Sequence, residues 1–133
     1  MKAIISAACV LLAAPAVPIA AIAGSAAGDR DVSYEDAMDC SAVFSLLSTT
    51  SRSSEAAGHE ETAARWLVIA MRRDGSRDGS IADAALIPLI EELIDTLNAA
   101  PSAARRDAFI DDMVGFCDAQ AERIAGEFNR IRL

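Results

Sequence analysis

Residues 34–48 read YEDAMDCSAVFSLLS, and this stretch decides the fold. Its apolar residues recur at intervals of three and four, which is the spacing of one face of an α-helix. They are Ala37, Cys40, Val43, Phe44 and Leu47. Ser33 can cap this helix, and Glu35 and Asp36 favour its positively polarised N-terminus. The stretch therefore predicts a first helix that carries Cys40 on its apolar side.

Three more segments show helical spacing. The second helix is predicted at residues 55–73, the third ends at Asn98, and the fourth spans residues 103–131. Pro88 either kinks the third helix or marks a fresh start, because it has no N–H for the carbonyl of Ala84. The expected buried face of the second helix consists of Ala63, Trp66, Leu67, Ala70 and Met71. That of the third consists of Leu86, Ile90, Leu93 and Leu97, flanked by Ile87 and Ile94. That of the fourth consists of Ile110, Met113, Cys117, Ala121, Ile124, Phe128 and Ile131.

The large aromatic side chains are expected in the core by default; they are Phe44, Trp66, Phe109, Phe116 and Phe128. No segment shows the period-two alternation of a half-buried strand. We therefore predict an all-α fold, a small bundle of about four helices.

The beginning of the chain predicts an export signal. Lys2 supplies one positive charge, and residues 3–28 carry no charge at all. The small-x-small pattern Ala21-Ile22-Ala23 predicts that residues 1–23 are a cleaved signal peptide, with an alternative cut after residue 27. We expect a periplasmic or secreted protein that keeps no stable membrane anchor after cleavage.

The remainder divides into a flexible segment at residues 24–33 and a helical domain at residues 34–133. This mature chain keeps two cysteines, Cys40 and Cys117, in an oxidising compartment, where an even pair usually forms a disulfide. Zinc is the weaker alternative, because two isolated cysteines and one histidine do not make four ligands at a familiar spacing. A bond between Cys40 and Cys117 would clamp the first helix to the fourth.

Length, composition and charge argue against a disordered chain and against a nucleic-acid binder. The chain has 133 residues, 53% of them hydrophobic, and a net charge of −8. This length is about one domain, and the chain is too apolar for intrinsic disorder. Because phosphate contacts need a basic face, the acidic balance argues against a nucleic-acid binder.

An interhelical loop, from Asp74 to Asp83, resembles an EF-hand calcium loop in part. With Asp74 at the first position, Ser76 and Asp78 occupy the third and fifth. The twelfth position, where that family has a bidentate acid, is Ala85. The alternative is a polar turn between helices, so Asp74, Ser76 and Asp78 are weak calcium ligands at best.

Catalytic patterns are missing. His59 is the only histidine, and position 63, one turn later, is alanine instead of the second histidine of a zinc site. Adjacent acids such as Glu91 and Glu92 diverge by about 100° on a helix and favour a solvated face. The sequence contains neither Cys-x-x-Cys-His for haem nor a glycine-rich phosphate loop, so we expect a non-enzymatic protein without a cofactor.

Small residues form a line on the outer face of the predicted fourth helix. Ala108, Gly115, Ala119 and Gly126 fall within about 20° of one line on a helical wheel. Such a line could let another helix approach closely, from a partner or from a second copy in a homodimer. The alternative is that the line simply faces water.

These observations favour an exported protein that binds another protein, as a chaperone, an inhibitor or an immunity-like accessory factor. In size, export and a single bond between helices it is similar to the small acid-stress chaperones of the bacterial periplasm, a fold-level analogy. Those proteins have a closer cysteine pair and are rich in lysine, whereas the mature chain here has no lysine. A small-ligand or calcium binder that uses the Asp74 loop, and a structural envelope protein, are the alternatives.

Overall fold

The computed structural model describes residues 31–75 and 79–133, and in these ranges it contains only helices and their connections. The elements are α1 (Tyr34–Thr50), α2 (Ser53–Asp74), α3 (Gly79–Ala99), α4 (Ala103–Arg123) and the short α5 (Ala125–Phe128). The predicted all-α bundle is confirmed. The predicted signal peptide lies outside the described residues, and no helix within them is long and apolar enough to cross a membrane.

The first helix lies at the centre of the bundle. α2, α3 and α4 all pack against α1, and it therefore buries residues on every side instead of on one face. Its closest neighbour is α2, where the Ser41 hydroxyl donates to the carbonyl of Ala63 at 3.0 Å. The small side chains of Ser41 and Ala63 let the two helices approach closely at this crossing. The α1 and α2 pair forms the stable platform on which α3 and α4 rest.

The disulfide joins α1 to α4, as predicted. Cys40 and Cys117 are fully buried, and their Cα atoms lie 5.5 Å apart, inside the ordinary range for a disulfide. Besides Cys117, the only buried residue of α4 is Gln120. The disulfide therefore adds a covalent link to a helix that packs on the platform mainly through partly buried side chains.

The fourth helix is shorter than predicted. α4 ends at Arg123, and Ile124 leaves helical geometry with φ −112° and ψ 25° before α5 begins. This break lets Phe128 pack on Trp66 with ring centroids 4.9 Å apart, and it lets Glu127 reach Arg73. Packing across the bundle thus ends the helix, although apolar residues continue at helical spacing in the sequence.

Other expectations about single residues are corrected or refined. Phe116 is 40% exposed, so it is not a core residue. Pro88 lies inside a continuous α3, so it does not restart that helix, and its exposed position leaves the carbonyl of Ala84 open to water. At the end of the segment that was predicted to be flexible, Val32 is buried, and its carbonyl accepts a bond from Nε of Arg73 at 2.9 Å.

Candidate functional site

A groove between α1, α3 and α4 is the candidate functional site. α3 and α4 pack on α1 rather than on each other, which leaves a cavity of about 310 Å³ between them. Its apolar lining comes from all three helices and consists of Ala42, Leu89, Leu93, Phe109 and Met113. Asp39, Glu92 and Thr96 form its polar rim.

A second hollow extends the groove between α1 and α3. It has a volume of about 320 Å³ and is lined by Tyr34, Glu35, Met38, Asp39, Ala85, Pro88 and Leu89. Because Asp39 and Leu89 line both hollows, the two form one surface along α3. We call this surface the α1/α3/α4 groove.

Asp39 is the most unusual charged residue of the groove. Partial burial, and then the neighbouring acids Asp36, Glu92 and Glu35, raise the pKa of its carboxyl above the usual value. Within the described ranges its carboxylate takes part in no hydrogen bond or ion pair. An unpaired acid in a half-apolar groove costs stability at neutral pH.

We predict that Asp39→Asn raises the melting temperature at pH 7. For an acid whose pKa is raised by folding, the cost is fully present above the folded pKa and disappears as the pH falls below the unfolded value of 3.8. The gain is below about 1 kcal/mol, because water still reaches one side of the carboxylate. Thermal melts at pH 7 and pH 3 measure it. Asp111→Asn, which neutralises an exposed acid on α4, is the control, and an equal gain there would mean that only net charge matters.

The rim acids belong to a surface of uniform charge. α1 and α3 together carry acidic residues only, with no arginine, lysine or histidine in either helix. These acids are Glu35, Asp36, Asp39, Asp83, Glu91, Glu92 and Asp95. None of them forms an ion pair, since the ion pairs of the described residues involve Glu61 and Glu127. The α1 and α3 side of the groove is therefore an uncompensated negative surface.

A second charged cluster holds the two ends of the helical domain together. Arg73 donates through Nη2 to Oε2 of Glu127 at 2.7 Å, and Arg72 lies 3.2 Å from Oε1 of the same carboxylate. Hydrogen bonding by Arg73, helped by Arg72, holds the pKa of Glu127 below its usual value. With the bond from Arg73 to Val32, this cluster ties both ends to α2. Its groups are satisfied by one another, so it fits a structural role.

The loop proposed for calcium is only partly described. Asp74 is the last residue of α2, and Gly75 follows with φ 69°, the left-handed conformation that ends many helices. Ser76 and Asp78 lie outside the described residues, and Asp83 is exposed on α3. Within residues 31–75 and 79–133, no group of three potential ligand side chains converges on a point. Calcium binding by this loop stays an untested prediction.

His59 has an aromatic neighbour. It is partly buried within α2, and its ring lies 5.9 Å from the ring of Phe44. This packing adds no partner that would activate His59 as a base.

The line of small residues is interrupted. Ala108, Gly115 and Ala119 are exposed on α4, as expected, but Gly126 lies on α5 beyond the break at Ile124. A Cβ atom at Gly115 would meet nothing within 4 Å. The helical wheel assumed one straight helix from end to end, and the break removes that continuity.

Sequence reasoning missed the groove, although part of its signature is visible in the sequence. It assigned Leu93 and Met113 to buried stripes, whereas both line a cavity that opens to solvent. The signal that could have pointed to this site is the absence of basic residues from two neighbouring helices. Comparison of the chain with protein-family models, curated proteins and solved structures finds no match, so the groove itself is the basis for any functional assignment.

Proposed function

We propose that this chain is an exported, non-enzymatic protein that acts by binding another protein in the α1/α3/α4 groove. The observation that carries the proposal is the open apolar lining of the groove, with Leu89 and Leu93 facing Phe109 and Met113. Apolar side chains in a concave surface are typical of binding sites. Chaperone, inhibitor and immunity-like accessory roles all use such a surface.

Export is supported by two features of the chain. The uncharged stretch at residues 3–28 has the character of a secretory signal. The disulfide between Cys40 and Cys117 is of a kind that persists in oxidising compartments. A periplasmic or secreted location is therefore part of the proposal.

We expect Thr96→Trp to abolish partner binding. Thr96 is exposed at the rim of the groove, so a tryptophan there can fold over the apolar lining without disturbing the core. The test compares capture of a defined partner from an envelope extract by the wild type and the variant. We expect a loss of about tenfold or more, equivalent to about 1.4 kcal/mol.

Ala119→Trp is the matched control. Ala119 is exposed on α4 and lies on the line of small residues, away from the groove lining. If Ala119→Trp abolishes capture and Thr96→Trp does not, the binding surface is that line and the proposal is wrong. Circular dichroism of both variants checks that each remains folded.

A further inference from the structure

The dimensions of the groove indicate how much of a partner it can hold. Its lining on α3 extends from Ala85 to Thr96. At 1.5 Å per residue this distance is about 16 Å, or three turns of a helix. A segment of that length presents apolar side chains at positions i, i+3 or i+4, and i+7.

The chemistry of the groove favours a helix over an extended segment. Its walls are helices whose backbone groups are paired internally, and the described residues include no strand edge that could accept a peptide. An extended peptide would leave its own N–H and C=O groups unpaired above the apolar lining. A helix satisfies these groups by itself and contacts the groove only through side chains.

The charges of the groove determine the sign of the charge that a partner should carry. Asp39 and Glu92 flank the apolar lining, Glu35 lies at its far end, and no cation on α1 or α3 compensates them. The opposite wall is α4, which has Arg105 and Arg106 in its first turn. Both arginines are exposed, and both precede the residues of α4 that line the groove. The negative side of the groove is therefore the side formed by α1 and α3.

We propose that the occupant is a basic amphipathic helix of the partner protein, with its apolar face on Leu89, Leu93 and Met113 and its cations against Asp39 and Glu92. This inference rests on the proposed function and names the chemistry of the partner. Opposite charges across the interface would steer association and fix the orientation of the helix. A basic partner also relieves the repulsion among the acids around Asp39.

The test uses three fluorescent peptides of equal length with the oxidised protein. One has leucine at the amphipathic positions and lysine elsewhere, the second replaces lysine with glutamate, and the third keeps the lysines in a sequence without an apolar face. Fluorescence anisotropy at physiological salt measures binding. We expect only the leucine and lysine peptide to bind, and we expect Thr96→Trp to prevent it.

A pair of charge-matched variants separates local contacts from net charge. Asp39→Asn with Glu92→Gln removes two rim charges, and Asp111→Asn with Glu122→Gln removes two exposed charges of α4. We expect the first pair to weaken binding about tenfold or more and the second pair to change it less than about twofold. Both pairs change the net charge equally.

Several outcomes would overturn the inference. Equal weakening by both pairs means that only long-range attraction is measured. Equal binding of the leucine and glutamate peptide means that the groove selects apolar faces without regard to charge, which leaves the proposed function standing. Failure of all three peptides rejects the basic helix as occupant, while the capture experiment with Thr96→Trp independently decides whether the groove binds a protein.

Discussion

Reduction of the Cys40–Cys117 bond is expected to lower the melting temperature by at least about 15 °C. The bond closes a loop with a sequence separation of 77 residues, which in the chain-entropy model corresponds to about 4.5 kcal/mol. For a domain of this size, 1 kcal/mol shifts the midpoint by about 4–8 °C. Because the total stability of such domains is about 5–15 kcal/mol, the bond accounts for a large share of it.

After reduction of the disulfide, the loss of structure should begin at α4. This helix has only two buried residues, Cys117 and Gln120, whereas α1 and α2 pack closely through Ser41 and Ala63. We expect amide hydrogens of α4 to exchange faster after reduction, while those of α1 and α2 keep most of their protection. The groove then loses the wall that contains Phe109 and Met113, so the reduced protein should also lose partner binding.

Differential scanning calorimetry and hydrogen exchange measure these effects. The control is Cys40→Ala with Cys117→Ala, since the difference between this variant and the reduced wild type reports the lost sulfur packing alone. A shift below about 5 °C on reduction, or equal protection of α4 and α2, would contradict the prediction.

The helices were predictable because their signals are local. The predicted bounds of the first two helices and the predicted end of the third lie within about two residues of the observed bounds, since spacing, caps and turn residues act over a few positions. The disulfide followed from counting the cysteines that lie outside the predicted signal peptide. Neither inference required knowledge of which helices are neighbours.

The groove and the break at Ile124 could not be predicted in the same way. Whether Leu93 faces the core or an open cavity depends on where α4 lies, and that position is fixed by Cys117. The break is accompanied by the pairing of Glu127 with Arg73, which is 54 residues away in the chain. Such long-range pairing leaves no periodic trace in a single sequence.

Trp66→Ala is expected to destabilise the protein by about 3–5 kcal/mol. Trp66 has no exposed surface and is the largest fully buried side chain. Its ring packs on Phe128, so it holds α5 against α2, and it is not among the residues that line the groove. Denaturant unfolding followed by circular dichroism measures the loss, because the chain has no second tryptophan to report by fluorescence.

Two comparisons make this prediction specific. Leu67→Ala removes a partly buried neighbour on the same helix and should cost clearly less, so equal losses would mean that Trp66 has no special role. In a double-mutant cycle, Trp66→Ala and Phe128→Ala should couple by about 1 kcal/mol, as aromatic pairs in contact do. With the disulfide intact and well below its melting midpoint, Trp66→Ala should still bind the basic amphipathic peptide with wild-type affinity. Loss of binding in this folded variant would mean that the site extends beyond the α1/α3/α4 groove to α5.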